Sequence, residues 1–491
     1  MTVLGCKPAE LEGQPSRHSE QRRHSPPAQP GHEQGFRSRP ELSPPTIEVI
    51  TQAHNTAPGY IFVGPKIGPG QDGPMIIDNL GRLVWYIKDR YPRDFKVQRY
   101  RGEPVLTWWE GEVIQGHGVG EYVIFDNSYR EVTRVRAGNG YRGDLHEFSI
   151  TPRDTALLTA YDEVPMDLSA VGGPQEGAVW DGIAQELDIE TGKVLFEWHS
   201  LDHVALEESY YGLSADPEKP FDYFHINSID IDQDDNLLIS ARNTSTVYKV
   251  DRNSGEIIWR LGGKKSDFEM GPGTRTHYQH DARRQSDGTI TIFDNGATDF
   301  DASVPKAVES RGIVLGLDEE RMNASLVREY THPDNPLALA AGNMQVLPNE
   351  NVFIGWGREL VDFSEFSEDG ELLYSASFSN DISYRAFRFE WKGYPAEQPA
   401  AVAERLSKEQ LRVYASWNGA TEVATWEVHA GPSPHQLRFV GLVPRDGFET
   451  AMLVRTAEPY VVVKARHSLG WVLGASKAVE SGSSAVFSSL G

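Results

Sequence analysis

The sequence predicts an all-β protein in which a six-bladed β-propeller is followed by a C-terminal immunoglobulin- or fibronectin-like β-sandwich. Three observations support this prediction. Short apolar segments recur between polar turns, convincing helical periodicity is scarce, and the 491 residues include 46 Gly and 30 Pro. Such a composition, with 39% hydrophobic residues, is typical of a β-rich globular protein.

The propeller prediction depends on two phrases that alternate along the chain. The first is a strand, a polar turn and a strand, as in HINSIDIDQDDNLLISAR and HDARRQSDGTITIFDNG, and the second ends in an aromatic strand, as in AQELDIETGKVLFEWH. Together they provide the four antiparallel strands of one blade. This predicts blades near 55–90, 95–136, 144–200, 224–262, 278–331 and 343–380. Five or seven blades, or unrelated hairpins stacked in a large sandwich, remain alternatives.

Changes in composition predict the domain boundaries. Residues 1–45 are rich in Ser, Pro, Gln and Arg and predict a disordered tail, and residues 46–395 form the predicted propeller. A linker follows at 396–410, with a possible short helix over Pro399–Gln410. Short alternating strands such as LRVYASW and YVVVKARHS then predict the sandwich over 411–480, before a tail at 481–491.

Charge and cysteine content narrow the function classes. The formal net charge of −24 disfavours binding to nucleic acid or anionic membranes, and an anionic substrate would need a strong local positive site. The single cysteine, Cys6, allows no intrachain disulfide. There is no apolar run of transmembrane length and no basic segment followed by an apolar one near the first residue, so neither an integral membrane segment nor a signal peptide is predicted.

Polar residues recur where the first strand of a blade begins. These positions carry His146, His225, His280 and Asn343. Because the first strand of every blade lines the channel of a propeller, we expect these side chains to meet near one rim. Each histidine taken alone is more often a structural, hydrogen-bonded residue, and the case for a site comes from their equivalent positions.

Turn positions give an approximate register for three hairpins. A two-residue turn at Asp234-Asp235 would place Asn227 opposite Arg242. A turn at Asp287-Gly288 would place His280 opposite Asn295. One at Asn349-Glu350 would place Asn343 opposite Trp356.

These residue types suit the handling of a tetrahedral anion by a nucleophile. Neutral imidazole is a competent nucleophile, and the planar fork of Arg242 can hold two sulfate or phosphate oxygens. Asn227 would add a neutral donor, a second histidine would protonate a leaving phenolate, and Trp356 would stack on an aromatic ring. Three histidines also suit zinc, but no His-x-His or His-Glu-x-x-His spacing occurs and Arg242 would oppose a cation, so no metal or other cofactor is predicted.

Seven segments resemble the arylsulfotransferase family, in the branch common in filamentous fungi and actinobacteria. The matching phrases lie in order between Arg39 and Tyr394 and are GPMIIDNLGRLVWY, GDLHEF, FHINSIDID, LLISARNTSTVYKVD, IIWRLGG, QHDARRQSDGTITIFDNG and GNMQVLPNENVFIGWG. The resemblance implies a six-bladed propeller that moves a sulfuryl group from a phenolic sulfate ester to a phenol without a nucleotide donor.

The resemblance also implies residue roles. The position of the transiently sulfated histidine falls on His280, and the positions that bind and polarise the sulfate fall on His146, His225, Asn227 and Arg242. A secreted location is implied too, although no signal sequence is recognised, and the chain lacks the disulfide and the small N-terminal β-domain of the bacterial enzymes. The alternatives are a non-catalytic propeller that binds an aromatic or sulfated ligand or a protein, and net hydrolysis of the sulfate ester. Oligomeric state stays open.

Overall fold

The computed structural model describes residues 33–66, 68, 70–297, 309–357 and 361–483. It is nearly all β, with 51% strand and 2% helix. The short helical segments are Ser200–His203, Ser169–Val171 and Leu206–Glu208. In the described part of the chain, no helix is both long and apolar enough to cross a membrane.

Between residues 60 and 389, the described part of the chain forms six four-stranded antiparallel units. Unit 1 consists of Ser383–Phe389, Tyr60–Pro65, Met75–Ile77 and Leu83–Tyr86. Unit 2 consists of Arg93–Tyr100, Glu103–Ile114, His117–Phe125 and Glu131–Val135. Unit 3 consists of Gly143–Ile150, Thr155–Met166, Gly177–Asp188 and Val194–His199. A single residue pair, Gly120 with Gly143, joins units 2 and 3 into one sheet.

The other three units follow the same pattern. Unit 4 consists of Ile226–Ile231, Leu237–Ala241, Thr246–Val250 and Ile257–Gly262. Unit 5 consists of His280–Arg284, Ile290–Asp294, Arg311–Asp318 and Asn323–Tyr330, with Glu269–Met270 added in parallel. Unit 6 consists of Asn343–Val346, Val352–Gly355, Phe363–Phe366 and Leu372–Phe378, with Ile47–Thr51 at its edge.

The first strands of the six units contact one another in a closed cycle. The order is Ser383–Phe389, Arg93–Tyr100, Gly143–Ile150, Ile226–Ile231, His280–Arg284, Asn343–Val346 and back to Ser383–Phe389. The second strand of each unit lies behind its first strand. In unit 4 this second strand, Leu237–Ala241, is buried at every residue. Such strands are covered on both faces, as continuous apolar sequences predict.

Charged residues join these first strands in a central ion-pair network, made of Asp94, Lys96, Glu147, Asp281, Arg283 and Arg385. Lys96 Nζ lies 2.6 Å from Asp94 Oδ2 and 3.1 Å from Glu147 Oε1. Arg385 Nη1 donates to Asp94 Oδ1 at 2.9 Å, and Arg283 donates to both Glu147 and Asp281. Three cations therefore balance three carboxylates in the interior, and the network ties together the first strands of units 1, 2, 3 and 5.

The register of the three hairpins differs from the prediction by one or two residues. His225 bonds to Arg242, His280 pairs with Phe293, and Asn343 pairs with Gly355. Each turn holds a residue with positive φ, namely Asp235 (68°), Gly288 (88°) and Glu350 (70°). A three-residue loop whose third residue is left-handed moves every pair by one position relative to a two-residue loop. In the first two hairpins a register irregularity, between Ile226 and Ser228 and between His280 and Arg283, adds the second position.

The C-terminal unit contains two sheets. One has the order Glu449–Arg455, Gln410–Ser416, Ala400–Ser407 and Gly482–Ser483. The other has the order Gln436–Pro444, Thr425–Ser433, Tyr460–Arg466 and Val472–Ala475, and Val479–Glu480 also pairs with Tyr460–Arg466. Alternate residues of these strands, including Val413, Val428 and Val463, form one buried apolar cluster, as expected for sheets with one solvated face.

Two segments differ from the sequence prediction. The possible helix over Pro399–Gln410 is wrong, because Ala400–Ser407 is a strand paired with Gln410–Ser416. Residues 33–45, predicted as part of a disordered tail, are packed on the rest of the protein: the Phe36 ring lies 4.4 Å from that of Phe448, and Leu42 is buried in an apolar cluster with Ile47 and Ile61. Residues 1–32 and 484–491, which complete the predicted tails, lie outside the described residues, as does Cys6.

Candidate active site

Three of the sequence-predicted histidines meet at the starts of neighbouring first strands. His146 lies in Gly143–Ile150, His225 directly precedes Ile226–Ile231, and His280 begins His280–Arg284. The rings of His146 and His225 have centroids 4.8 Å apart. Arg242 and His280 contact the same backbone segment: Arg242 Nη2 donates to the Leu339 carbonyl at 2.9 Å, and the Ala341 N–H donates to His280 Nε2 at 3.3 Å. His146, His225, His280 and Arg242 are called the histidine cluster below; His225 is partly buried and the other three are buried.

The backbone around two of the histidines has an unusual conformation. His225 has φ 57°, and Tyr278 and Asp281, on either side of His280, have φ 56° and 57°. Residues other than glycine rarely adopt positive φ, and such positions concentrate at functional sites because the surrounding structure must hold them. In both units the register of the strand pair is irregular directly after these residues, between Ile226 and Ser228 and between His280 and Arg283.

Each histidine of the cluster uses Nδ1 for a hydrogen bond to a side-chain oxygen. His146 Nδ1 lies 2.6 Å from Asp144 Oδ2, His225 Nδ1 lies 2.5 Å from Asp222 Oδ2, and His280 Nδ1 lies 2.7 Å from Asn295 Oδ1. Carboxylates only accept, so Nδ1 of His146 and of His225 carries the hydrogen.

The amide orientation of Asn295 fixes the tautomer of His280. Asn295 Nδ2 donates to the carbonyl oxygens of Ala338 and Ala341, both at 3.0 Å, so its Oδ1 faces His280 as an acceptor. His280 therefore carries its hydrogen on Nδ1. The lone pair of Nε2 accepts a long hydrogen bond from the backbone N–H of Ala341, at 3.3 Å. A neutral imidazole acts as a nucleophile through its Nε2 lone pair, so attack requires the long hydrogen bond from Ala341 to break.

Burial and nearby positive charge keep His280 neutral. Burial lowers its pKa well below the usual value because it disfavours the imidazolium, and the guanidinium of Arg242 lowers it further. Burial also lowers the pKa of His225 to about 4, against the opposing effect of Asp222. Burial raises the pKa of Asp144, but His146 outweighs it and the pKa falls to about 2, so Asp144 is ionised at neutral pH.

Arg242 is anchored without a carboxylate. Its Nη1 donates to Asn243 Oδ1 at 2.7 Å, its Nη2 donates to the Leu339 carbonyl at 2.9 Å, and its guanidinium lies 4.4 Å from the centre of the Tyr278 ring. Its buried Nε has no hydrogen-bond partner among the described residues. The guanidinium is thus a positioned positive charge with donor capacity left over, as an anion site requires.

Three other predicted site residues, Asn295, Asn227 and Asn343, have different hydrogen-bond partners. Asn295 belongs to the site through His280. Asn227 donates from Nδ2 to the Gln279 carbonyl at 2.8 Å, while its Oδ1 is buried without a partner within the described ranges. Asn343 uses both amide atoms on the backbone of Ala386, at 2.9 and 3.0 Å, and so joins unit 6 to unit 1.

The predicted aromatic platform is not formed by the tryptophans. Trp356 is fully buried in an apolar cluster with Phe293 and Phe366, and its indole donates to Ser364 Oγ at 3.0 Å. Trp108 and Trp109 are buried in similar clusters. Two tyrosine rings lie closer to the site: the centroids of Tyr161 and Tyr384 are 6.3 and 5.7 Å from that of His146.

Sequence reasoning missed the carboxylates that orient the histidines. Asp144 precedes His146 by two residues and Asp222 precedes His225 by three. The spacing Asp-x-His in GDLHEF and Asp-x-x-His in DYFH was the available signal, because a side chain two or three positions upstream reaches the next imidazole when the backbone turns. His117 was also missed: its Nε2 lies 3.3 Å from Asp222 Oδ2, and its ring lies 5.3 Å from that of His225.

Comparisons with solved structures give weak similarities. A protein of unknown function from Bacteroides caccae has a TM-score of 0.40 and 13% identity, over 67% of this chain and 98% of that chain. Streptogramin B lyase has a TM-score of 0.34 and 10% identity, over 67% and 87%. Virginiamycin B lyase from Staphylococcus aureus, an inactive variant solved with quinupristin, has a TM-score of 0.33 and 9% identity, over 67% and 88%. At these scores the similarities support no argument about function.

The comparison with protein families is more specific. No curated protein matches the chain. The family model described as arylsulfotransferase (ASST) matches residues 96–379, which is more than half of the chain and includes every residue of the histidine cluster. This chain is therefore a member of the arylsulfotransferase family.

Proposed function

We propose that the protein transfers a sulfuryl group from an aryl sulfate ester to a phenol through a sulfohistidine at His280. The observation that carries the proposal is the state of His280: a buried neutral imidazole whose Nδ1–H is held by Asn295 and whose Nε2 lone pair lies within the electrostatic reach of Arg242. A neutral nucleophile beside a fixed guanidinium is suited to attack an anionic sulfate ester.

The first half-reaction forms the sulfohistidine. Nε2 of His280 attacks the sulfur atom, an N–S bond forms, and the S–O bond to the aryl group breaks with its electron pair leaving on the aryl oxygen. Arg242 stabilises the negative charge on the sulfuryl oxygens through the N–H groups that the protein leaves unused. The products are a phenolate and a sulfated imidazolium whose Nδ1–H still donates to Asn295.

The second half-reaction needs a base, for which His146 is suited. A phenol gives its proton to Nε2 of His146, its oxygen attacks sulfur, and the N–S bond breaks to restore neutral His280, after which the proton on His146 passes to solvent. Asp144 would stabilise the imidazolium formed in this step, whereas Asn295, which is uncharged, does not raise the basicity of the nucleophile in the same way. The different partners thus support different roles for His146 and His280.

The fold proposal accompanies the chemical one. We infer that the six units are the blades of a propeller, that residues 46–395 form this domain, and that the two C-terminal sheets are a β-sandwich of the immunoglobulin or fibronectin kind. The closed cycle of contacts between the first strands supports the propeller, and the shared apolar cluster supports the sandwich.

The decisive experiment detects the covalent intermediate. The full chain is incubated with a chromogenic aryl sulfate and no acceptor, quenched, and its peptides are examined by mass spectrometry. We expect one sulfuryl group on the peptide that contains His280, loss of that label when a phenol is added, and appearance of the sulfated phenol. His280→Ala should remove the label while aryl sulfate binding persists.

Other outcomes identify other functions. Release of free sulfate at a rate independent of added phenol would indicate hydrolysis. Binding of the aryl sulfate without label or turnover in the unmodified chain, across several donors, would contradict the enzyme proposal and indicate a ligand-binding protein.

A further inference from the structure

Three potential metal ligands lie beside the histidine cluster and include one of its members, His225. The set consists of His117, which begins the third strand of unit 2, and of Asp222 and His225, which precede unit 4. One ligand atom from each residue lies within 4.8 Å of the other two. Because His117 is more than a hundred positions from its partners, no local sequence spacing could reveal the set.

The polar atoms of this set are buried but incompletely satisfied. His117 is only 2% exposed, yet neither ring nitrogen forms an aligned hydrogen bond in the described part of the chain. Its nearest charged contact is Asp222 Oδ2 at 3.3 Å, and Asp222 Oδ1 is likewise buried without a partner among the described residues. Buried polar atoms without partners destabilise a fold, and a bound cation would satisfy these nitrogen and oxygen lone pairs together.

Packing holds the ring of His117 in this position. Its centroid lies 4.0 Å from that of Tyr161 and 5.0 Å from that of Trp180. The strand start is preceded by two residues of positive φ, Gln115 at 52° and Gly116 at 92°. The imidazole is therefore positioned by aromatic contacts and a tight turn, while its nitrogens remain available to a ligand.

The chemistry of the set indicates which ion would bind. Two imidazoles and one carboxylate are the donors of catalytic zinc sites, in which a fourth position stays open. Calcium and magnesium prefer all-oxygen ligands, so two nitrogen donors disfavour them. We propose that His117, Asp222 and His225 bind one Zn²⁺ ion with an open coordination position.

Metal binding replaces an existing hydrogen bond. His225 Nδ1 and Asp222 Oδ2 are 2.5 Å apart, whereas two ligands of one zinc ion, each about 2.0–2.2 Å from the metal, are separated by roughly 3 Å. A small rotation of the carboxylate provides this separation. Ligation through Nδ1 moves the hydrogen of His225 to Nε2, so the ring becomes a donor instead of an acceptor.

This tautomer change has a consequence for the proposed function, and that consequence alone rests on the proposed function. As a donor, Nε2–H of His225 would stabilise sulfuryl oxygens together with Arg242, and His146 would remain as the base. The existence of the metal site does not depend on sulfuryl transfer, so the two proposals can fail separately.

The test measures metal content and ligand identity without an activity assay. The full chain is purified without a polyhistidine tag, stripped with a chelator, reloaded with Zn²⁺ and desalted, and its metal is measured by inductively coupled plasma mass spectrometry. We expect about one ion per chain, and an affinity reduced at least tenfold in His117→Ala and in the near-isosteric Asp222→Asn, since mutation of a residue that merely supports a metal ligand already costs roughly 10–100-fold. Co²⁺ in place of Zn²⁺ should give visible absorption bands that both variants lose.

A matched control separates this set from other imidazole–carboxylate pairs. His199 Nδ1 lies 2.7 Å from Asp181 Oδ2, but His199 is outside the set, so His199→Ala should keep full metal content. Two results would overturn the proposal: reloaded wild-type chain without bound metal, or equal metal content in wild type, His117→Ala and Asp222→Asn. Circular dichroism of each variant excludes unfolding as the cause of a loss.

Discussion

The central ion-pair network lies on the first strands of units 1, 2, 3 and 5, and the histidines of the histidine cluster lie at or beside the starts of the first strands of units 3, 4 and 5, yet only the network balances its charges. In the network, Lys96, Arg283 and Arg385 face three carboxylates at ion-pair distance. In the histidine cluster, Arg242 has no carboxylate at ion-pair distance among the described residues, and its two Nη atoms donate instead to the Asn243 side-chain oxygen and the Leu339 carbonyl. The network therefore neutralises its buried charges within the protein, whereas the neighbouring histidine cluster contains a buried positive charge without a paired carboxylate.

The difference shows which region stabilises the fold and which is available for a ligand. Buried charges require partners, and a network that meets this need fixes the strands that carry it. A buried guanidinium without a paired carboxylate reduces stability unless an anion completes it. We interpret the network as the structural support of the cycle of first strands and the histidine cluster as the place where a substrate supplies the missing charge.

The largest expected effect is on stability, from the removal of a cation in the network. Arg385→Met should lower the free energy of unfolding by about 3–5 kcal/mol, because Asp94 would remain buried without its guanidinium. Denaturant titration measures the change. Arg136→Met is the matched control: Arg136 pairs with Glu121 at 2.7 Å, but its side chain is 77% exposed, and the expected loss is about 0–1 kcal/mol. Equal losses in the two variants would contradict the role of the network.

A smaller effect, on activity, is expected from Arg242. Arg242→Lys keeps the positive charge but loses the planar fork, and it should lower the rate of aryl sulfate turnover by about 10²–10³-fold, as removal of a single oxyanion donor does. The free energy of unfolding should change less than in Arg385→Met, because no carboxylate loses its partner. Steady-state turnover of an aryl sulfate checks this expectation, and full activity of the lysine variant would show that only charge matters at this position.

The sequence predicted the repeated hairpins better than the strand pairing that completes unit 1. Predicted blade limits such as 224–262 and 343–380 agree closely with the observed strands of units 4 and 6, since each unit is built from local hairpins with strong turn signals. The strand Ser383–Phe389 was not assigned to a unit, because it pairs with Tyr60–Pro65 more than three hundred residues earlier. A partner at that separation leaves no mark on local pattern.

Within the candidate site, sequence reasoning identified the histidines but not the carboxylates that bond to them. His146, His225 and His280 stand out because they occupy equivalent positions in repeats. Asn343 shares that position but serves as a backbone clamp, because its neighbour is the strand that closes the cycle. The residue type at a repeat position therefore does not establish its role, which also depends on the contacts that tertiary structure brings to it.

The smallest expected effect sharpens the comparison within the histidine cluster itself. Asn295→Asp would give His280 the same kind of partner that Asp144 gives His146, a carboxylate on Nδ1. An adjacent negative charge favours the imidazolium, so the pKa of His280 should rise, by about 1–3 units. Protonated His280 cannot attack sulfur, and the wild-type residue has a pKa well below its usual value. The acid limb of the pH–rate profile should therefore move to higher pH in the variant, with little change at alkaline pH.

Asn139→Asp is the control for this prediction. Asn139 is exposed and contacts Glu197, so the substitution adds the same charge outside the site and should leave the profile unchanged. An unmoved acid limb in Asn295→Asp would mean that protonation of another group controls the rate.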